Sequence, residues 1–574
     1  MAAVLLMWTV VTSSRVLAQS NRQLPIVQNQ QAQNQQAQSQ GGMVVSAHPI
    51  ATEAGVAVLK AGGNAVDAAV ATALMISVVE PFSAGIGGGG FLLIYQHDRQ
   101  QMAALDFRER APRQASRNMF LDSSGKPQAS YAQRGHRLVA VPGTIAGLYT
   151  VHRRYGKRPW PTLVLPAAQV AAQGFSVTPR LATAIARHQE LLNPAAQAIF
   201  LRNGQPYQPG DILVQKDLGR SLTLLSRDPQ TFYQGELARA IVQDMAANQG
   251  LITLTDLQAY RAIWRDPLCR NFRRYRVCSM PPPSSGGVHL LQVLGIVGNT
   301  DLKAMGRWHP DTLHLLAEMM RLVYADRAQY LGDPDFVSVP VSALLSPGYL
   351  AYRRRSINPR FTTPSNQVQM PNLTRLRQLA EESPETTHLT VVDPERNAVS
   401  LTFTVNRGFG SGVVVPGTGI LLNDEMDDFA IAPGVPNAYG LVGGEANAIA
   451  PGKTPLSSMT PTIVTENGQL RLALGAPGGS TIITTVIQLV LNILVFELDA
   501  VTAIAAPRLH HQWQPDQLFL EPGIDAATVE NLRQRGHAIR QGRSWGNATL
   551  IHQRPDDTLE GVADPRGEGT AAGF

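Results

Sequence analysis

The sequence predicts an α+β fold, because strand patterns and helix patterns both occur in it. Alternating apolar runs from Thr387 to Val392 and from Ala398 to Val405 are typical of paired strands, whereas Ala65–Val79 has an alanine-rich helix pattern. Apolar residues make up 44% of the 574 residues and charged residues 16%, which supports a substantial core. This length allows several domains, but it also suits one large sandwich.

Three further segments carry helix patterns. Glu53–Ala61 is a second alanine-rich helix, separated from Ala65–Val79 by a pair of glycines. Asp311–Tyr330 has the amphipathic pattern of a longer helix. Thr481–Leu498 is apolar enough to suggest a membrane span, but glutamine, asparagine, glutamate and threonine side chains interrupt it and favour a buried core helix.

The two alternating runs predict one hairpin with a defined register. Turn residues from Asp393 to Asn397 separate the runs, so the turn is centred on Glu395. Pairing residues at equal distances from Glu395 places Thr386 opposite Thr404. Because strand side chains alternate between faces, both threonines then share one face, and a one-residue shift would separate them.

Thr386 opens its strand directly after a polar segment that ends at Glu385, and this junction is typical of a self-cleavage point. If the bond between the two residues breaks, the threonine hydroxyl becomes a nucleophile and the freed α-amine accepts its proton. An α-amine has a reference pKa of roughly 7.7 to 8.0 and is therefore a base near neutral pH. The simpler interpretation of a threonine pair is that threonine suits strands.

The surrounding motifs favour the catalytic interpretation, because together they resemble the γ-glutamyltransferase family from Met43 onward. The motifs are Ser46-Ala47-His48-Pro49, Gly62 to Ala69, Leu105 to Glu109, Met280 to Gly287, Thr386-Thr387-His388, Thr404, Asn406, Asp427-Asp428-Phe429, Pro455 to Met459 and Ala563 to Arg566. The resemblance implies an N-terminal-nucleophile hydrolase with a four-layer αββα sandwich. It also implies one precursor that splits into a large subunit, residues 43–385, and a small subunit, residues 386–574, which stay together as a heterodimer.

The implied reaction cleaves the γ-glutamyl amide of glutathione or a related compound through a γ-glutamyl ester on Thr386. Water, an amino acid or a peptide then accepts the group. Thr404 would orient Thr386. Gly478 and Gly479, in a glycine turn after an apolar strand, would bring backbone N–H groups to the developing oxyanion; the alternative is an ordinary strand-to-helix turn.

The resemblance also implies a pocket for a free amino-acid end. Its residues are Arg108, Asn406, Glu425, Asp428, Ser457, Ser458 and Tyr439. A guanidinium and hydroxyls suit an α-carboxylate, whereas carboxylates and an amide oxygen suit an α-ammonium. Tyr439 belongs to a predicted lid, Pro433–Lys453, that would close over Asn406; a surface loop without that role is the alternative. For Arg108 the alternative is a structural ion pair with Glu109 or another acid.

Three other functions remain open at this stage: a glutaryl-type acylase, a γ-glutamyl polymer transferase and an unprocessed binding protein. No cofactor is expected. The glycines from Gly85 to Gly90 precede a strand, so they do not suit a dinucleotide. His510-His511 lacks the cysteine or carboxylate ligands that would complete a zinc site. Ser284-Ser285 lacks the strained elbow pattern and the dedicated His partner of a serine nucleophile. The net charge is only +6 without a basic run among aromatics, so nucleic acid is not an expected partner.

The N-terminal residues predict export. Residues 1–18 are typical of a signal peptide, although Arg15 follows the apolar run, so a signal anchor or a different start is an alternative. Residues 19–42, rich in Gln and Asn, predict a disordered linker. We therefore expect a periplasmic or extracellular enzyme. Cys269 and Cys278 flank a short hairpin and either form a disulfide or remain two buried thiols.

Overall fold

A computed structural model describes residues 35–128, 134–368, 386–432 and 434–574. The predicted signal peptide, the linker as far as residue 34, and the polar segment that ends at Glu385 lie outside the described residues. In the described ranges the strands are β1 (Gln36–Ser39), β2 (Met43–Ser46), β3 (Gly89–Gln96), β4 (Gln101–Phe107), β5 (Phe175–Ser176), β6 (Leu201–Arg202), β7 (Gln205–Pro206), β8 (Ile212–Leu213), β9 (Ile263–Arg265), β10 (Leu268–Phe272), β11 (Tyr275–Ser279), β12 (Thr387–Val392), β13 (Ala398–Thr404), β14 (Thr462–Glu466), β15 (Gln469–Gly475), β16 (Leu509–His510), β17 (Leu518–Leu520), β18 (Ile539–Gln541), β19 (Thr549–Gln553), β20 (Leu559–Ala563) and β21 (Thr570–Gly573).

The α-helices lie mostly between these strands. They are α1 (Pro49–Lys60), α2 (Ala65–Val79), α3 (Thr144–Tyr155), α4 (Trp160–Gln173), α5 (Pro179–His188), α6 (Pro194–Phe200), α7 (Lys216–Arg227), α8 (Thr231–Gln234), α9 (Glu236–Ala247), α10 (Leu254–Ala259), α11 (Gly286–Val297), α12 (Leu302–Met305), α13 (Pro310–Tyr330), α14 (Val341–Leu344), α15 (Pro347–Ser356), α16 (Thr481–Leu494), α17 (Ala500–Ala505) and α18 (Ala526–Gln534).

Two antiparallel sheets of seven strands form the centre of the molecule. One sheet has the strand order β21-β2-β12-β13-β3-β4-β9, and the other has the order β1-β20-β19-β15-β14-β11-β10. In both sheets, hairpins of consecutive strands pair with strands from distant parts of the sequence, so the predicted large and small subunits share each sheet. Three short sheets of two or three strands lie outside this centre in the described residues.

Three apolar cores separate four layers. In the first core, helices α1, α2, α3 and α4 pack on one face of the first sheet. In another core, helices α11, α13 and α16 pack on the second sheet. The middle core lies between the sheets, where Phe91 and Leu93 of β3 face Ile463 and Ala473. Leu92 of the same strand points into the helical core instead, as the alternation of a strand requires. The αββα sandwich is therefore confirmed.

The hairpin that carries Thr386 has the predicted register. Strands β12 and β13 pair Thr387 with Phe403 and Val392 with Ala398, which are equidistant from Glu395. Asp393 accepts hydrogen bonds from Asn397 and from the N-terminal backbone of α2, through Ala65 N at 3.0 Å. This contact fixes the turn against the helical layer and thereby positions the opposite end of the hairpin.

Most predicted helices are confirmed, with small differences at their ends. Helix α2 spans the predicted residues, and α13 begins one residue early, at Pro310. Helix α1 begins at Pro49 rather than Glu53, because the His48 side chain caps it by accepting from Ile50 N. Helix α16 ends at Leu494 rather than Leu498, and all its side chains are buried. Among the described residues, no helix has both the length and the apolar character of a membrane span.

The structure decides two expectations, one about the predicted linker and one about the two cysteines. The predicted disorder was wrong for the end of the linker, because Gln36–Ser39 forms an edge strand paired with β20. The backbone hydrogen bonds of this pairing, together with the packing of Ala37 against the middle core, hold this mostly polar segment in place. Cys269 and Cys278 lie directly opposite each other in the β10–β11 hairpin and form a disulfide.

Candidate active site

The candidate active site lies where β12 begins and β13 ends, on the face that looks toward the second sheet. The cavity at this site is about 20 Å³, which is room for about one water molecule and far less than a substrate needs. The site as it stands is therefore closed. The lining residues are Arg108, Thr386, Thr404, Asn406, Glu425, Asp428, Tyr439, Leu441, Ser457, Ser458, Met459, Gly479 and Ile482. All the sequence-predicted site residues are among them except Gly478, which precedes Gly479.

The two threonines are neighbours, as the register requires. Thr404 Oγ1 lies 3.4 Å from Thr386 Oγ1 and accepts a hydrogen bond of 2.8 Å from Asn406 N. Thr404 also donates to Ser83 O at 3.2 Å. Both side chains are buried, with relative exposures of 5% for Thr386 and 2% for Thr404. This arrangement holds the hydroxyl of Thr404 beside that of Thr386.

A buried carboxylate supports the start of β12, and the sequence reasoning missed it. Glu80, after α2, accepts hydrogen bonds from Thr387 Oγ1 at 2.9 Å and from Ser83 Oγ at 2.8 Å. Burial raises the pKa of Glu80, although Arg180 and these two hydroxyls oppose the shift. Since Ser83 also accepts from Thr404, one small network fixes both threonine-bearing strands. No local pattern links residue 80 to residue 387, so only the fold reveals this contact.

Arg108 sits at the centre of a buried charge cluster. Its guanidinium forms ion pairs with Glu425 and Asp428 and lies 3.8 Å from Glu109. The structural ion pair considered from the sequence is therefore present. Burial lowers the pKa of Arg108, but the three carboxylates outweigh this effect and raise it overall.

The carboxylates of this cluster outnumber the guanidinium, and their pKa values rise. Burial raises the pKa of Glu425 well above its usual range and that of Glu109 to about 7, although Arg108 acts in the opposite direction on both. A buried carboxylate cluster of this kind retains a proton near neutral pH. Glu109 was considered only as a partner of Arg108, although its position directly after Arg108 in the motif was a visible signal.

Ser457 and Met459, on either side of Ser458, are held by hydrogen bonds with the segment before α11. Ser457 N donates to Pro283 O at 2.9 Å, and Ser285 Oγ donates to Ser457 O at 2.8 Å. Arg327, on α13, donates to Ser285 Oγ at 3.2 Å. The two serines of the Ser284-Ser285 motif thus act as supports, since the Ser284 hydroxyl donates to Met459 O.

Gly478 and Gly479 have the backbone conformations that favour glycine, with φ values of +129° and +56°. A Cβ on Gly479 would overlap the ring of Tyr439. Helix α16 begins at Thr481, two residues after Gly479. Both the backbone N–H and the side-chain hydroxyl of Thr481 donate to Gly478 O. The turn thus places Gly479 in the wall of the site at the N-terminal end of a helix, where backbone donors point toward an anion.

Tyr439 closes the site from the loop that the sequence identified as a lid. Its hydroxyl donates to Asn406 Oδ1 at 2.6 Å and lies 3.0 Å from Asn406 O. Asn437 fixes the tyrosine by accepting from Tyr439 N, and it donates to Asp428 Oδ1 at 3.2 Å. Residues 434–453 of this loop are described, whereas Pro433 is not. The loop therefore contacts both Asn406 and Asp428, one of the carboxylates that pair with Arg108.

His388 anchors the nucleophile strand to the second sheet. It shares the face of Thr386, is fully buried, and its Nδ1 lies 2.7 Å from Thr402 Oγ1. Strand β15 approaches so closely that a Cβ on Gly475 would overlap the imidazole ring. Burial lowers the pKa of His388 from 6.5 to about 3. The ring is therefore neutral at neutral pH.

We expect His388 to make the fold sensitive to acid. Between pH 6.5 and about 3 the unfolded chain binds a proton that the folded chain does not, so stability falls as the pH falls, by about 1.4 kcal/mol per unit. In His388→Gln this contribution disappears. Urea unfolding at a series of pH values should give a shallower decline for the variant than for wild type below pH 6.5. Equal slopes would contradict the buried neutral state of His388.

Residues 51–574 match the family described as Gamma-glutamyltranspeptidase. The glutathione hydrolase proenzyme of Escherichia coli (strain K12) is 44% identical over 529 residues, which cover 92% of this chain and 90% of that protein.

Solved structures agree with this family. The cephalosporin acylase from Bacillus halodurans has a TM-score of 0.82 at 29% identity and covers 94% of this chain and 97% of that chain. The γ-glutamyltranspeptidase from Helicobacter pylori has a TM-score of 0.55 at 41% identity and covers 56% of this chain and 94% of that chain. Because the family match extends over nearly the whole sequence, this chain belongs to the gamma-glutamyltranspeptidase family.

Proposed function

We propose that the protein is an autoprocessed γ-glutamyltransferase. It cleaves the γ-glutamyl amide of glutathione and related compounds and passes the γ-glutamyl group to water, amino acids or peptides. The observation that carries this proposal is the position of Thr386 at the start of β12, beside Thr404 and in one enclosed space with the Arg108 charge cluster. Family membership supports the same activity.

Maturation requires only the chain itself and water. Thr386 Oγ attacks the carbonyl carbon of Glu385, the C–N bond breaks, and the acyl group moves from nitrogen to oxygen as an ester. Water then hydrolyses the ester and leaves a carboxylate on Glu385 and a free amine on Thr386. The amine and the hydroxyl now belong to one residue, which is the arrangement that an N-terminal nucleophile needs.

Turnover repeats the attack on the substrate. The amine of Thr386 takes the hydroxyl proton while Oγ attacks the γ-amide carbon, and the oxyanion forms next to Gly478 and Gly479. Preorganised donors at such a position typically contribute two to three decades in rate each. The leaving amine takes the proton, and water or an acceptor amine then displaces the γ-glutamyl group from the ester.

Binding exchanges one ion pair for another. The amino-acid end of a γ-glutamyl group is a zwitterion, so its carboxylate replaces Glu425 and Asp428 on Arg108 while its ammonium takes up the released carboxylates. The number of buried charges stays balanced during this exchange, which avoids the cost of an unpaired ion. Ser457 and Ser458 supply further donors to the substrate carboxylate, and Asn406 supplies an acceptor for the ammonium.

The location of the enzyme forms a second part of the proposal. Residues 1–18 act as a signal peptide or an anchor, and the mature enzyme works in the periplasm or outside the cell as a heterodimer of a large subunit that ends at residue 385 and a small subunit of residues 386–574. The Cys269–Cys278 disulfide supports an oxidising compartment.

A pair of anilide substrates tests the activity. A glutaryl anilide retains the carboxylate of a γ-glutamyl anilide but lacks the ammonium. We expect kcat/KM to be about 10- to 100-fold higher for the γ-glutamyl compound, since a hydrogen bond to a charged group contributes about 1.5–3 kcal/mol. In Asp428→Asn the ratio should shrink.

The opposite preference would indicate an acylase, the class of the Bacillus halodurans neighbour. Failure to cleave either anilide, with the purified chain still intact, would indicate a binding protein instead.

A further inference from the structure

Three buried side chains with metal-binding chemistry meet outside the active site. His314 and Glu318 lie one turn apart on α13, and His537 follows α18. Their candidate ligand atoms all lie within 4.8 Å of one another, and their relative exposures are 1%, 2% and 4%. Among the described residues this is the one cluster of its kind. The sequence did not reveal it, because only the i, i+4 pair on α13 is local.

The hydrogen bonds orient this cluster inward. His314 Nε2 donates to Asn358 O at 2.8 Å, because a carbonyl oxygen can only accept, and Nδ1 therefore presents its lone pair to the cluster. His537 Nε2 lies 2.8 Å from that Nδ1. The other nitrogen of His537 is buried and has no hydrogen-bond partner among the described residues.

The carboxylate is oriented in the same manner. Glu318 accepts from Thr362 Oγ1 at 2.8 Å and from Thr363 N at 3.1 Å. Outer hydrogen bonds to a backbone carbonyl and to a carboxylate are the usual support of protein metal ligands.

The charged side chains around the cluster carry a net negative charge, which favours a bound cation. Arg321 pairs with Glu318 and with Asp516, and Arg535 pairs with Asp311. Three carboxylates thus face two guanidinium groups, which leaves one negative charge in excess.

We propose that His314, Glu318 and His537 bind a zinc ion. Two imidazoles and one carboxylate are a ligand set that zinc takes in proteins, with a fourth position open to water. Tetrahedral ligands with bonds of roughly 2.0–2.1 Å lie about 3.3 Å apart. His537 Nε2 donates the hydrogen bond to His314 Nδ1, so it must lose its proton when the ion enters, and the ring then carries its proton on Nδ1 instead. The two imidazole nitrogens, now at hydrogen-bond distance, separate by about 0.5 Å in the same step. If the chain is cleaved as proposed above, the ion also joins the large subunit to the small one.

The proposal is tested on untagged wild-type protein that has been stripped with a chelator and returned to metal-free buffer. Calorimetric titration with zinc should show one site per chain, and elemental analysis of the reloaded, dialysed protein should find one zinc per chain. Cobalt(II) should give the intense visible absorption of a four- or five-coordinate site. Glu318→Gln and His537→Gln should weaken zinc binding at least 10-fold, whereas His552→Gln, on a strand outside the cluster, should leave it unchanged.

The wild-type titration decides whether the zinc site exists even if a variant fails to fold. Zinc binding that is absent in wild type, or that is equally strong in a folded His314→Gln/His537→Gln double variant, would overturn the site. A cobalt spectrum of the purely six-coordinate aqueous type would do so as well. In any of these outcomes the cluster is a hydrogen-bonded histidine pair, and the transferase activity proposed above stands or falls separately on the anilide assay.

Discussion

Thr386→Ala is expected to remain one intact chain and to lose turnover by about four decades or more. The alanine has no hydroxyl, so it can neither attack the carbonyl of Glu385 nor form the γ-glutamyl ester. A denaturing gel should show two pieces for wild type and one for the variant. Sequencing of the smaller wild-type piece should begin at Thr386, and release of p-nitroaniline from a γ-glutamyl anilide measures the activity.

Thr386→Ser is the matched control, because serine keeps the hydroxyl and loses only a methyl group. We expect it to mature, although more slowly, and to retain measurable turnover. A smaller wild-type piece that begins at another residue would place the nucleophile elsewhere. Normal cleavage of Thr386→Ala would show that the break in the chain has a different cause.

The second large effect is expected for Arg108→Gln. The variant removes the guanidinium that meets the substrate carboxylate and leaves a neutral amide among the carboxylates of Glu109, Glu425 and Asp428. Losing one partner of a buried charge pair costs about 2–5 kcal/mol, so kcat/KM should fall about 30- to 5,000-fold, chiefly through KM. Steady-state kinetics with the γ-glutamyl anilide measures this split.

Two further variants separate charge from geometry. Arg108→Lys keeps the positive charge without the planar fork, so its kcat/KM should lie between those of wild type and Arg108→Gln. Arg110 is half-buried two residues away and donates to Arg261 O, so Arg110→Gln should behave like wild type. A KM for Arg108→Gln equal to that of wild type would exclude Arg108 from substrate binding.

The nucleophile hairpin could be predicted from the sequence because its strands are adjacent in the chain. A turn between two alternating runs determines both the register and the shared face, and no distant residue is needed. The pairing of Thr387 with Phe403 therefore matched the prediction. The same local reasoning located α2 and most of α13.

Contacts across long sequence separations could not be predicted in this way. Strand β1 is polar and has no strand pattern of its own; it is ordered only because β20 pairs with it. Glu80 supports Thr387 through the packing of α2 on the sheet, a contact that spans 307 residues. The motifs named the residues of the Arg108 cluster. They did not show which of these residues pair with one another, because those contacts also span long sequence separations.

The closed site has a kinetic consequence. Asn437 links the loop to Asp428 and Tyr439 links it to Asn406, so we expect the loop and the charge cluster to open together. Substrate then meets only the open fraction of the molecules, and the apparent affinity is reduced by that fraction. At high substrate concentration the capture rate should level off at the opening rate of the loop, so variants that loosen Tyr439 accelerate entry while exposing the acyl ester to water.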